Sequence, residues 1–130
     1  MSMTNHPLPD VGAPFALGLR DGRLMLQFDR ASGRAQFYPR PQSLYSEAGV
    51  EWREASGRGT IFALTRSRVG PPHLADALPY AMALVQLAEG PRMLARIDAP
   101  YDTLAIGQPV EVDWRHPDSR RAFPVFKPAA

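Results

Sequence analysis

The stretch VEWREASGRGTIFALTRSRV, residues 50–69, decides the fold. Turn residues bound it as they bound a strand, but it is long for one strand, since most strands run about 3–10 residues. Gly57 and Gly59 fall in its middle, and glycines inside a strand mark a bulge or a sharp bend where two backbones approach closely. We therefore predict one long, bent strand of the kind that serves both sheets of a small barrel.

Four shorter strands are expected after this stretch. YAMALVQLAE (residues 80–89) and RMLARID (92–98) form a hairpin around a Gly-Pro turn, VEVDWR (110–115) alternates apolar and acidic residues, and AFPVF (122–126) is the last strand. Five strands and no strong helix among them predict a mainly β protein, built as a partly open Greek-key barrel of the OB type. A small sandwich of two sheets fits the same pattern.

The residues before the long stretch predict a smaller N-terminal segment. PFALGLRD (residues 14–21) suits a short helix with Phe15 and Leu19 on one face, and LMLQF (24–28) and AQFY (35–38) suit two short strands around a turn. We expect three parts: a tail at residues 1–13, the helix and a ribbon-like segment at 14–49, and the barrel at 50–128.

Composition narrows the class of protein. The formal net charge of the 130 residues is only +2, which is too weak to indicate nucleic acid. Its basic residues are almost all arginine, with Lys127 the single lysine, as a genome rich in arginine codons would produce. The absence of cysteine excludes disulfides and thiolate chemistry. No apolar run approaches the roughly 20 residues of a membrane span and the N-terminus does not resemble a signal peptide, so we expect a cytoplasmic protein.

Several short motifs occur here in the order and spacing of one known family. They are RDGRL (residues 20–24), SGRGT (56–60), PYAMALVQLAEGPRMLAR (79–96) and IGQPVEV (106–112). With them, residues 15–128 resemble the acyl-CoA-associated OB-fold proteins that carry an N-terminal rubredoxin-like zinc ribbon. Each motif is only moderately specific, and the resemblance depends on their succession.

The resemblance places the two CxxC knuckles of the family's zinc ribbon on residues that bind zinc poorly. The first would fall on Asp29 and Ser32 and the second on Ser43 and Ser46. Zinc prefers thiolate and imidazole, and one carboxylate with three neutral hydroxyls does not make a tetrahedral site. We therefore expect a degenerate ribbon that has kept its shape and binds no metal, and no cofactor is expected.

What the resemblance implies about function is a non-catalytic partner subunit of a thiolase-like enzyme, or of a hydratase, that acts on acyl-CoA thioesters, with a contact to the CoA. The N-terminal helix would contribute to the partner surface through Phe15, Leu17 and Leu19, or these residues would simply cover the core. Alone, the chain is expected to form a homodimer through its N-terminal half, because exposed apolar surface marks protein interfaces.

A CoA-binding patch is expected from basic residues near the two long loops, because phosphates need fixed positive charge. The candidate residues are Arg66, Arg68, His73, Trp114, His116, Arg120 and Arg121. The alternative is a solvated rim of arginines paired with Glu111, Asp113 and Asp118, and Trp114, like Trp52, is then a core aromatic.

Two other functions were weighed against this expectation. The OB type of barrel also binds single-stranded nucleic acid, which is the alternative function, but that requires several exposed aromatics between basic residues and the strand at residues 80–89 offers almost none. Catalysis by the chain alone is not expected, because Ser43 and Ser46 lack a local histidine or nucleophile-elbow glycines and the three histidines are scattered.

Overall fold

The computed structural model describes residues 10–130, which form one helix and eight strands. Along the chain these are α1 (Ala13–Arg20), β1 (Met25–Asp29), β2 (Ala35–Gln36), β3 (Val50–Glu54), β4 (Arg58–Ser67), β5 (Tyr80–Leu87), β6 (Arg92–Ile97), β7 (Pro109–Val112) and β8 (Val125–Pro128). Short 3-10 turns lie at Pro72–Ala77, Tyr101–Thr103 and Pro117–Arg120. Most of residues 1–13, the predicted tail, lies outside the described range.

Five strands close into the predicted barrel. Their order around it is β4-β5-β6-β8-β7, and β7 returns to pair with β4. All neighbours are antiparallel except β6 and β8, which run parallel where Arg96 faces Val125 and Ile97 faces Phe126. The OB-type barrel is thus confirmed over the sandwich, and it is closed where the sequence suggested a partly open one.

The long stretch at residues 50–69 is two strands, which corrects the prediction of one. β3 pairs along its full length with β1 in a separate three-stranded sheet, ordered β2-β1-β3, whereas β4 belongs to the barrel. The glycines do mark the bend: Gly57 has a φ of +76°, and a Cβ at Gly59 would lie 2.5 Å from the carbonyl oxygen of Gln86. A register shift between Ile61 and Ala63 adds a bulge within β4.

We call the sheet of β1, β2 and β3, together with the loop at residues 37–49, the ribbon. Because β3 lies in the ribbon, the strand pairing changes from ribbon to barrel near residue 55 and not at residue 50. The division into a helix with a ribbon-like segment at residues 14–49 and a barrel at residues 50–128 remains a proposal. Leu19, Leu24 and Leu26 nevertheless share one hydrophobic cluster with the barrel's inward-facing side chains, so ribbon and barrel have a common core.

The helix α1 closes the cluster at its N-terminal side. Phe15 is 7% and Leu19 0% exposed, which means that the face carrying them points inward, as a core-covering helix requires. Leu17 lies on the other face and is 54% exposed. Of the three predicted partner contacts, only Leu17 therefore presents its side chain to solvent. No helix in residues 10–130 is long and apolar enough to cross a membrane.

Candidate functional site

Strand β5 carries mostly apolar or aromatic side chains on its outward face as well as on its inward one, with Gln86 as the outward exception. Its inward residues are buried, and its outward residues Tyr80, Met82 and Leu84 are half-buried where a solvated barrel would carry polar side chains. On the neighbouring strand β6, Leu94 also points outward and is 48% exposed. The outer face of β5 and β6 is therefore a surface on which something else can be bound.

A cleft of about 350 Å³ lies over this outer face. Tyr80, Met82 and Leu94 form part of its lining, together with Tyr38 from the ribbon and Phe123 from the loop before β8. Small-molecule sites are usually concave and mainly apolar, with volumes of about 300–1,000 Å³. The cleft is at the lower end of that range, so it suits a small ligand or one portion of a larger one.

Charged residues in the lining are dominated by arginine. Asp118 pairs with both Arg96 (3.5 Å) and Arg121 (3.4 Å), so two guanidinium groups share one carboxylate. Arg96 is largely covered and its guanidinium carbon lies 5.2 Å from the centre of the Tyr80 ring, whereas the side chain of Arg121 is 65% exposed. The lining thus carries a net positive charge and one arginine free to turn toward an anion.

The turn at Pro117–Arg120 holds these charges in place. The hydroxyl of Ser119, which is fully buried, donates to the carbonyl of Asp113 (2.6 Å) and accepts the backbone N–H of Val125 (3.1 Å). His116 caps the turn, since its Nδ1 accepts the backbone N–H of Asp118 at 3.1 Å. Arg120 donates to the carbonyl of Arg20 at 3.0 Å and so ties the turn to the C-terminal end of α1.

The seven predicted CoA-binding residues are therefore separated by the structure. His73 and Arg121 line the cleft, and His116 and Arg120 brace one of its walls. Arg66 is paired with Asp102 at 2.9 Å, away from the cleft lining.

The remaining two candidates lie elsewhere, since Trp114 packs half-buried against the core and Arg68, exposed just after β4, is not part of the lining. The predicted rim of ion pairs is also present in part, because Asp118 holds two arginines and Asp113 lies 3.9 Å from Lys127.

Sequence reasoning missed the apolar part of the cleft. The signal that reveals the floor is the sequence YAMALVQL, in which three of the four outward positions carry Tyr80, Met82 and Leu84 and only Gln86 is an amide. Tyr38 and Phe123 lie far apart in sequence, and no local pattern indicates that they meet, with ring centres 6.5 Å apart.

An aromatic cluster continues from the cleft toward α1. Phe15 lies 5.3 Å from Phe37 and 6.1 Å from Phe123, between ring centres. Tyr38 and Phe123 are 49% and 44% exposed, which is high for large apolar side chains in a cluster. Leu17, on the outward face of α1, is a third exposed apolar side chain, and we call Leu17, Tyr38 and Phe123 together the aromatic face.

In the ribbon, the four positions that correspond to zinc ligands do come together, but around an anion. The carboxylate of Asp29, which is fully buried, accepts hydrogen bonds from the hydroxyls of Ser46 (2.5 Å) and Ser32 (2.8 Å) and from the backbone N–H of Ser32 (2.7 Å). Ser43 adds a further side-chain hydrogen bond.

The three serines are arranged alike. Each hydroxyl also accepts the backbone N–H two residues further on, from Arg34 (3.2 Å), Tyr45 (3.0 Å) and Ala48 (3.1 Å) respectively. The hydroxyls of Ser32 and Ser46 therefore accept from their own turns and donate to the shared carboxylate, and Ser43 contributes to lowering the pKa of Asp29. We call Asp29 with Ser32, Ser43 and Ser46 the carboxylate hub.

The hub keeps Asp29 ionised. The hydrogen bonds from Ser46, then Ser43 and Ser32, stabilise the carboxylate and hold the pKa of Asp29 far below its usual value, although burial opposes this. Such an arrangement does not fit zinc, because the hydroxyls are neutral and already act as donors to Asp29. In residues 10–130, no three His, Asp or Glu side chains converge as a metal site would require.

Two buried glutamines hold the loop of the ribbon to its strands. Gln36 donates to Gln27 (2.9 Å), and Gln27 exchanges two hydrogen bonds with the backbone of Arg40 (2.7 and 2.8 Å). Gln36 also bonds the backbone of Gln42 and Leu44. These amides supply the partners that a loop without regular structure needs.

The fold and the site together define a class: an OB-type barrel with an N-terminal helix, a ribbon without cysteines and a cleft that is mainly apolar and carries arginines. Residues 52–115 match the family model described as "ChsH2, C-terminal OB-fold domain". Residues 52–115 are therefore similar to this family of OB-fold domains.

Two solved structures are similar over most of the chain. One, described as "Ltp2-ChsH2(DUF35) aldolase", is 29% identical and superposes with a TM-score of 0.78, covering 97% of this chain and 100% of that one. A DUF35-family protein of unknown function from Sulfolobus solfataricus is 14% identical with a TM-score of 0.64, covering 92% of this chain and 85% of that one, and shows the fold alone.

A relative in sequence is a protein of Thermomonospora curvata named "probable enoyl-CoA hydratase alpha subunit". It is 41% identical over 77 residues, which is 58% of this chain. The aligned segment covers only 24% of that protein's length.

Proposed function

We propose that the chain is a non-catalytic partner subunit of a thiolase-like or hydratase enzyme that acts on acyl-CoA thioesters. The observation that carries this proposal is the similarity over 97% of the chain to the solved structure described as "Ltp2-ChsH2(DUF35) aldolase". The relative named as an enoyl-CoA hydratase subunit supports the same substrate class.

The aromatic face is the proposed partner surface. Leu17, Tyr38 and Phe123 are each more than 40% exposed, and exposed apolar side chains of this size are candidates for a protein interface. We further propose that the isolated chain forms a homodimer through the same surface. Phe15 and Leu19 support the interface from beneath, because they are buried and cannot contact a partner themselves.

A supporting role without catalysis agrees with the chemistry of the described residues. His116 is occupied as a cap, and Asp118 is held by two arginines. Ser32 and Ser46 donate to Asp29, whose pKa is held far below its usual value, so this carboxylate is too weak a base to activate them as nucleophiles. Contact with CoA is proposed on the cleft side, where His73 and Arg121 lie.

The test is co-expression with the thiolase-like or hydratase protein encoded beside this chain. Size exclusion with light scattering should show a complex, and Leu17→Arg combined with Phe123→Arg should abolish it without lowering the melting temperature. Ile106→Arg is the matched control, because Ile106 is 70% exposed and lies in the loop before β7, outside the aromatic face. A strict monomer that forms no complex contradicts the proposal.

Single-stranded nucleic acid is the competing function. Its best candidate platform, Phe62, is 45% exposed, but the guanidinium of Arg92 lies 3.6 Å from the ring centre and covers it. A base would have to displace that arginine to stack. Sub-micromolar binding of an oligonucleotide at physiological salt would favour this function over the proposed one, because non-specific binding is about 10⁻⁴–10⁻⁶ M.

A further inference from the structure

We propose that the cleft over β5 and β6 binds the acyl portion of a medium-chain acyl thioester, and that Arg121 contacts the anionic part of the ligand outside the cleft. This inference rests on the proposed function, because it takes acyl-CoA as the ligand class. To the proposed function, the inference adds where the acyl group lies, how long it is and that it is apolar.

The floor of the cleft indicates an apolar ligand. Met82 and Leu94 point away from the barrel interior, where their exposure to water costs free energy unless another apolar group covers them. Methionine is also unbranched and polarizable, so Met82 can adapt to chains that differ in shape. Phe123 and Tyr38, which are far apart in the sequence, form aromatic walls of the cleft.

The volume indicates how much of the ligand enters. About 350 Å³ holds on the order of ten non-hydrogen atoms at roughly 30 Å³ each, the share of a water molecule in the liquid. A complete acyl-CoA is several times larger and does not fit. An acyl group of about eight to ten carbons does, and its thioester, pantetheine and phosphates would then lie outside the cleft.

The charges favour a ligand that becomes anionic where it leaves the cleft. Arg96 and Arg121 share the single carboxylate of Asp118, and His73 lies on another wall. Arg96 is fixed against Tyr80, but the largely exposed Arg121 can turn to a phosphate with little desolvation cost. A purely apolar occupant, such as a side chain of a partner protein, would leave this positive charge without a role.

Binding of decanoyl-CoA to the complete chain, measured by calorimetry below the micelle concentration, tests the proposal. We expect saturable binding at least ten-fold tighter than that of CoA alone, because only decanoyl-CoA brings an apolar chain to the floor. Binding should also weaken with rising salt, since Arg121 contributes an ionic contact.

Two variants locate the site. Leu94→Arg places a long charged side chain in the cleft and should remove the preference for decanoyl-CoA over CoA, while Ile106→Arg should leave it intact. Arg121→Glu should lower the affinity for decanoyl-CoA about ten-fold and abolish most of its salt dependence. Both replaced side chains are about half-exposed or more, so melting temperatures close to that of the unmodified chain are expected.

The outcomes also separate this inference from the proposed function. Equal affinity for CoA and decanoyl-CoA, no saturable binding, or unchanged selectivity in Leu94→Arg would each overturn the acyl site, even if the complex with the partner enzyme forms. Loss of that complex in Leu94→Arg, with no ligand binding by the unmodified chain, would assign the cleft to a partner side chain. Ligand binding without any complex would retain the acyl site and remove the proposed partner.

Discussion

The barrel buries an apolar layer, with Ile61, Val85 and Phe126 at most 1% exposed, whereas the ribbon buries Gln27, Asp29 and Gln36 at most 2% exposed. Apolar burial is non-directional, so the barrel tolerates many combinations of side chains of similar volume. Hydrogen bonds require particular donors in particular places, and a partner removed from a buried group leaves the group unsatisfied. The ribbon is therefore expected to be the more sensitive region to polar substitutions, and the barrel to changes of volume.

The comparison also shows how a metal site can be replaced. A zinc ribbon has anionic ligands around a central cation, whereas the carboxylate hub has hydroxyl donors around an anion contributed by one of the ligand positions. The direction of every interaction is reversed, but the two turns still approach the same point. The two turns of the ribbon therefore remain close together, and the hydrogen bonds to Asp29 hold them there.

The largest expected effect comes from restoring the metal ligands. The variant Asp29→Cys, Ser32→Cys, Ser43→Cys and Ser46→Cys should bind one zinc per chain under reducing conditions, because the four positions already converge. Apparent zinc-binding free energies of about 10–16 kcal/mol in zinc-finger peptides set the scale. Elemental analysis and the melting temperature with and without chelator provide the measurement. There are two controls: the unmodified chain, in which chelator should change nothing, and a variant that keeps Ser46. If the four-cysteine variant contains no more zinc than these controls, the four positions do not converge as a zinc site would.

A smaller effect should come from truncating the barrel core. Phe126→Ala removes a fully buried ring at the parallel junction of β6 and β8 and should cost about 3–5 kcal/mol in the free energy of unfolding. Phe28→Ala in the ribbon, where the ring is only half-buried, should cost distinctly less. Denaturant unfolding of both variants measures the difference, and equal losses would show that the apolar cores of the two regions contribute alike.

The barrel was predictable because its information is local. The alternation in VEVDWR, the Gly-Pro turn between residues 80–89 and 92–98, and the glycines near residue 58 indicate strands and a bend without reference to anything distant. The assignment of β3 to the ribbon was not predictable, because one bent strand and two strands in different sheets have the same sequence pattern. Only the pairing of β3 with β1 distinguishes them.

The candidate site was predictable only in part, for a related reason. His73 and Arg121 were found because loops and charges are visible in the sequence, and the lost zinc positions were found through the family resemblance. The contact of Tyr38 with Phe123, and the reversal that makes Asp29 a hub, depend on how segments far apart meet in space. The sequence showed that the four hub residues do not suit zinc. It did not show that they interact with one another through hydrogen bonds.

Removing the charge of Asp29 should loosen the ribbon but not the barrel. Asp29→Asn keeps the shape of the side chain but replaces one acceptor oxygen by a donor, which opposes the serine hydroxyls. Hydrogen exchange of the amides at residues 29–49 should become faster, while that of β5 and β6 should stay unchanged. Asp21→Asn, an exposed aspartate at the end of α1, is the matched control. Uniformly faster exchange in both regions would show that the hub supports the whole fold.

The smallest effect concerns the pH dependence of the same hub. The pKa of Asp29 in the folded chain lies far below the value of about 3.9 expected for the unfolded chain, so the ionised hub stabilises the fold above that value. Its contribution should decline as the pH falls below about 4 toward the lower folded pKa, because protons then bind more readily to the unfolded chain. The difference in melting temperature between the unmodified chain and Asp29→Asn should accordingly be largest near neutral pH and shrink in acid. The difference in melting temperature between the unmodified chain and Asp21→Asn gives the effect of an ordinary exposed carboxylate and is subtracted. If the difference for Asp29→Asn does not change between pH 7 and pH 2, the serines bind the side chain without regard to its charge.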